Sequence, residues 1–111
     1  MSITVQIPVQ IPEQDWADLI FGSGFTQYPW WNDVSFNAEA GILSGLVLDP
    51  SANEDGVYIG FQATLQELAD AASVLAKRNN RFAVSLTEQD LDADDADQVV
   101  QECVLGDQVY G

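Results

Sequence analysis

Ile42-Leu43-Ser44-Gly45-Leu46-Val47-Leu48, Asp49-Pro50-Ser51-Ala52-Asn53-Glu54-Asp55-Gly56 and Val57-Tyr58-Ile59-Gly60-Phe61 follow one another and decide the fold class. The first run is short and apolar, and its length suits a buried strand. The second is a loop by composition. The third is another strand. Just upstream, Trp30, Val34 and Phe36 fall on one strand face, with Asn32 and Ser35 turned partly outward. Asn37 to Gly41 reads as the turn between. Three strands with short connections predict an antiparallel meander.

Downstream, Thr64-Leu65-Gln66-Glu67 fits a capping box. Leu65, Leu68, Ala72 and Leu75 continue as a helical stripe, and Lys77 and Arg78 sit in the last turn, where cations suit the helix dipole. Asn79-Asn80 ends that helix. Phe82, Val84 and Leu86 alternate, which predicts a strand over 82–86. A final helix starts at Thr87 or Asp92, buries Val99, Val100, Cys103 and Val104, and stops at Gly106.

Toward the N-terminus, Ile3, Val5, Ile7, Val9 and Ile11 alternate with polar residues and Pro8, the signature of a half-buried strand. Pro8 has no N–H for a ladder, which suits an edge strand or a break. Pro12 opens a short helix with Trp16, Leu19 and Ile20 on one stripe, ended by Gly22-Ser23-Gly24. The whole predicts one α+β domain over residues 1–111, a mostly antiparallel sheet of about four or five strands with two or three helices packed on one face.

The chain has 111 residues, of which 47% are hydrophobic, enough for a core. Eighteen acids against three cations give a formal net charge of -15. The cations, Lys77, Arg78 and Arg81, lie within one short segment. Direct nucleic-acid binding needs a basic footprint, so it is excluded, and an anionic membrane surface would repel the chain. There is no His, which removes Ser-His-Asp and Cys-His catalysis. Cys103 is the single cysteine, so an internal disulfide or a Cys-rich zinc site is excluded. On the apolar face of its helix it reads as a small buried hydrophobe. No apolar run reaches the roughly 20 residues of a membrane span, and Met1-Ser2-Ile3-Thr4-Val5 lacks the basic start of a signal peptide. The expectation is a cytoplasmic protein.

The C-terminal quarter concentrates the charge: Glu88, Asp90, Asp92, Asp94, Asp95, Asp97, Glu102 and Asp107. Asp90 to Asp94 is spaced like the start of an EF-hand loop. Asp95 then stands where the turn glycine belongs and Gln101 where the bidentate Glu belongs, so no metal site is expected. Carboxylate pairs could serve acid–base chemistry, but so many acids make accidental pairs common, and so short a chain leaves little room for a cleft. The chain is therefore not expected to be an enzyme or to carry a cofactor.

A chain of this length has a radius of gyration near ~13 Å, and duplex DNA spanning its diameter carries about 20 charges. The acid excess is of the same order. Fixed carboxylates would meet the Arg and Lys groups that normally hold phosphates. The expected partner-binding residues are Glu88, Asp90, Asp92, Asp94, Asp95, Asp97 and Glu102, with Tyr28 and Trp31 as aromatic anchors for a protein partner.

Asp94-Asp95-Ala96-Asp97-Gln98-Val99-Val100-Gln101 and Gly106-Asp107-Gln108-Val109-Tyr110-Gly111 resemble the tail of small acidic proteins from phages, plasmids and actinobacterial mobile elements. Gly22-Ser23-Gly24 before Tyr28-Pro29-Trp30-Trp31 is similar to their glycine segment ahead of an aromatic strand. Leu105 stands where a bulky aromatic often precedes the tail glycine. The resemblance implies a mobile-element origin and transfers no site residues. Small acidic proteins of such elements often inhibit host defence, some by mimicking DNA.

The expected function is thus a DNA-mimic inhibitor that occludes the nucleic-acid-binding surface of a host CRISPR or restriction complex. The alternative is an assembly or interaction module of a phage or mobile element whose acidity serves solubility. Adaptation to high salt is a third source of acid excess. The strand at 3–11 also offers backbone groups through which a homodimer could pair.

Overall fold

The computed structural model describes residues 2–5 and 9–111, with side chains from residue 11 onward. Strands β1 (Ser2–Val5) and β2 (Val9–Pro12) pair antiparallel, with Ile3 opposite Ile11 and Val5 opposite Val9. The alternation over 3–11 therefore belongs to two arms paired with each other, not to one strand of the main sheet. The reading of Pro8 as a break lies outside the described residues, as does that of Ile7.

Helix α1 (Glu13–Phe21) follows, with Trp16, Ala17 and Ile20 buried. The Trp16 indole N–H donates to the Leu65 carbonyl at 3.0 Å and ties α1 to the start of the next long helix. A 3-10 turn at Phe25–Gln27 leads into the main sheet. Its strands β3 (Trp31–Asn37), β4 (Ile42–Leu48) and β5 (Tyr58–Thr64) form the meander, in the order β3-β4-β5. The expected single sheet of four or five strands is corrected to this three-stranded sheet and a separate two-stranded one.

The β3–β4 register shifts between Asn32 and Ser35, and Asp33 takes a positive φ of 50° there. Gly45 faces that bulge. A Cβ at Gly45 would lie 2.8 Å from the Val34 Cα, so only glycine lets the bulged strand come this close. Trp31, Leu43, Val47 and Ala63 are the buried residues of the sheet.

Among the described residues, four α-helices stand where two or three are expected. Helix α2 (Leu65–Arg78) begins in the predicted capping box, with the Thr64 hydroxyl accepting from Glu67 N and the Glu67 carboxylate accepting from Thr64 N. Helix α3 (Asn80–Thr87) replaces the strand expected at 82–86. The Asn79 side chain accepts from Phe82 N at 3.1 Å and starts a new helix where α2 ends. Phe82 and Leu86, four residues apart, are both buried, while Val84 between them is exposed. Helix α4 (Ala93–Leu105) completes the fold, stopped by Gly106 at a φ of 75°. Trp16, Phe25, Phe82, Leu68, Leu86, Val99 and Val100 are fully enclosed in the common core.

Candidate functional site

The acidic segment divides once it folds. Glu88, Asp90, Asp92 and Asp94 are exposed. Asp95 and Asp97 are buried, and the Glu102 side chain is only 11% exposed and pairs with Arg78. The expectation that these seven residues form one partner-binding surface is corrected for Asp95, Asp97 and Glu102. Asp95 and Glu102, seven residues apart, share the face of α4 that meets Arg81 and Arg78, and Asp97 lies on the other side of the helix against Trp30 and Trp31.

Asp92 and Asp95 form a second capping box. The Asp92 carboxylate accepts from Asp95 N at 2.8 Å, and Asp95 Oδ2 accepts from Asp92 N at 3.3 Å. Asp95 Oδ1 has no hydrogen-bond partner and lies 3.6 Å from the Arg81 guanidinium. Burial pushes the Asp95 carboxyl above its ordinary value.

Asp97 holds two tryptophans. Its Oδ1 accepts from the indole N–H of both Trp30 and Trp31 at 2.7 Å, and its Oδ2 accepts from Gln101 Nε2 at 2.9 Å. Gln101 is fully buried, and its amide also donates to the Tyr110 carbonyl at 2.8 Å. Its Oε1 accepts from the backbone N–H groups of Val109 and Tyr110, both at 2.9 Å. The C-terminal tail is thus clasped to α4 by one side chain.

Trp31 is 4% exposed, so its expected role as an anchor for a partner is corrected: it is a core residue. Tyr28 is half-buried, and its hydroxyl donates to the Asp94 carboxylate. Its ring stacks on Trp30 at 5.0 Å, and Trp30 stacks on Tyr110 at 5.6 Å. The hydrogen bond to Asp94, then partial desolvation and the nearby negative charges, push the Tyr28 phenol up to about 12.

The exposed acids adjoin others that come from α1. Asp15 and Asp18 line a groove of about 310 Å³ together with Leu19, Gln89 and Leu91. A positive φ of 54° at Gln89 turns the chain here, and Asp90 N donates to Ser85 O across the bend. Asp15, Asp18, Glu88, Asp90, Asp92 and Asp94 are all exposed along α1, the α3–α4 connection and the first turn of α4. Sequence reading missed the pairing of α1 with this connection, because the two are some 70 residues apart.

Among the described residues, no group of three or more His, Cys, Asp or Glu side chains is placed to hold a metal ion. The EF-hand-like spacing at 90–94 instead caps a helix. Cys103 is half-buried, and burial, then the charges of Glu67 and Asp70, push its thiol up to about 11, so it stays protonated at neutral pH. No described helix is long and apolar enough to cross a membrane. No protein-family model matches the chain, and neither a curated protein nor a solved structure matches it.

Proposed function

We propose that the chain is a non-enzymatic inhibitor whose acidic face occupies the nucleic-acid-binding surface of a basic host protein. The best-fitting target is a CRISPR or restriction complex in the host cytoplasm, with the chain encoded by a phage or mobile element. The observation that carries this reading is the direction of the charges. Arg78 and Arg81 pair with Glu102 and Asp95 on α4, while Asp15, Asp18, Glu88, Asp90, Asp92 and Asp94 are exposed. The fold is 42 Å along its longest axis. Duplex DNA of that length carries about 25 charges, so a basic groove built for phosphates would meet a comparable field.

Affinity capture from host lysate tests this, with washes at low salt, at high salt or with excess duplex DNA. A nucleic-acid-binding defence complex released by both salt and DNA is the expected result. The triple variant E88Q/D90N/D94N should lose capture and keep its fold, since none of the three is buried. Capture that survives the triple variant would refute the electrostatic mechanism.

A second reading, the assembly module, draws on the sheet. Ser44, Leu46, Gly60, Phe61 and Gln62 line an open depression of about 750 Å³, with Asp33 as its one ionisable residue. A partner seated there would resist both salt and DNA.

A further inference from the structure

We infer that the groove between the 49–56 loop and the C-terminal tail is a docking pocket for an arginine side chain of a partner protein. The groove encloses about 450 Å³, within the roughly 300–1,000 Å³ range of sites that hold small ligands. Val57, Val109 and Tyr110 give it apolar surface, and Asp49, Glu54 and Asp55 supply carboxylates. Val57 and Val109 are 38% and 44% exposed, so their methyls are open to a ligand in the groove.

Both walls are fixed before any partner arrives. Asp49 N donates to Val57 O at 2.8 Å and closes the loop at its base. Ser51 donates to Asp49 Oδ1 from its backbone N at 2.9 Å and from its hydroxyl at 2.7 Å. Those bonds hold the Asp49 carboxyl below its ordinary value, so it stays charged. On the other wall, Gln101 grips Val109 and Tyr110, and the Tyr110 hydroxyl donates to Leu48 O at 2.9 Å.

Charge complementarity selects the occupant. No cation of this chain lines the groove. An anionic ligand would be repelled, and a purely apolar one would leave the carboxylates facing it. A long side chain with an aliphatic stem and a cationic head satisfies both surfaces. Arginine fits better than lysine, because its flat guanidinium can bridge two carboxylate oxygens and lie against a tyrosine ring. A second copy is a poor source: two of its three cations, Arg78 and Arg81, already face Glu102 and Asp95. The inference goes beyond DNA mimicry, which needs carboxylates but no apolar floor.

Methyl and amide NMR of the full chain tests it, with Ac-Ala-Arg-Ala-NH2 as the probe. The uncharged citrulline analogue and sodium chloride at equal ionic strength are the controls. Saturable shifts of the Val57 and Val109 methyls with the arginine peptide alone are expected. E54Q/D55N, in an exposed part of the loop, should weaken them about tenfold. Equal shifts with citrulline, or no saturable shift at these methyls, would overturn the pocket. Shifts confined to Asp15, Asp18 and Asp94 would also overturn it while leaving the acidic-face mechanism standing. Unchanged groove shifts in E88Q/D90N/D94N support the pocket as a site separate from that face.

Discussion

Asp94 and Asp97 are three residues apart on α4 and have opposite fates. Asp94 is exposed, and its partner is the half-buried Tyr28 hydroxyl. Asp97 is buried and accepts from two indoles and a glutamine amide. Asp95 is a third case, a buried carboxylate with one oxygen left without a hydrogen bond. A buried charge is tolerable where donors surround it and costly where they do not. The acidic tail is thus a solvent-facing set available to a partner and an inward set that builds the fold. Net charge counts both sets alike, and only the first can act on a partner.

The largest expected effect breaks the inward set. D97A leaves the Trp30, Trp31 and Gln101 donors without their acceptor and should cost about 3–5 kcal/mol in urea unfolding. D94A should cost much less. Equal losses would erase the distinction between the two sets.

D95N sharpens the comparison from the other side. The asparagine can still accept from Asp92 N, and it no longer buries a charge. We expect a gain of about 1 kcal/mol at pH 7. The sign follows from the raised carboxyl. Between the ordinary aspartate value of about 3.9 and the raised folded value, the folded protein binds the proton more tightly than the unfolded chain. The wild type therefore recovers stability as pH falls through that window, and its difference from D95N should shrink. Thermal melts of both proteins across pH 3.5–7.5 check this, and a gap that widened in acid would contradict it.

The smallest effect is spectroscopic. Tyr28 and Tyr110 both have raised phenols, Tyr28 through Asp94 first and Tyr110 through burial first. In an ultraviolet titration, D94N should bring one tyrosine down toward 10 and leave the stability against urea nearly unchanged. A titration curve identical to the wild type would show that Asp94 does not hold Tyr28.

The meander was legible because β-structure leaves a local record: Ile42–Leu48 and the loop after it announce a strand and its end. The capping box at Thr64 was equally local. Phe82 and Leu86 misled because a spacing of four fits both alternation in a strand and one helix turn, and the Asn79 cap settled the matter. The arms at 2–5 and 9–12 show a further limit, since alternation reveals a strand but not its pairing partner. Asp97 could have been placed. It stands three residues before Val100 and four before Gln101, on the stripe that Val100 and Val104 define. Its charge hid that position, because the two indoles that neutralise its cost lie far away in the chain.

The same tryptophans make the molecule easy to watch. Each of the three indole N–H groups is held by one acceptor: Leu65 O for Trp16, and Asp97 Oδ1 for Trp30 and Trp31. Their protons give separate lines in a nitrogen-labelled spectrum, and each line reports one junction. Trp16 reports the seam between α1 and α2, and Trp30 and Trp31 report where the sheet meets α4. Their exchange with deuterium would time the opening of the two seams independently.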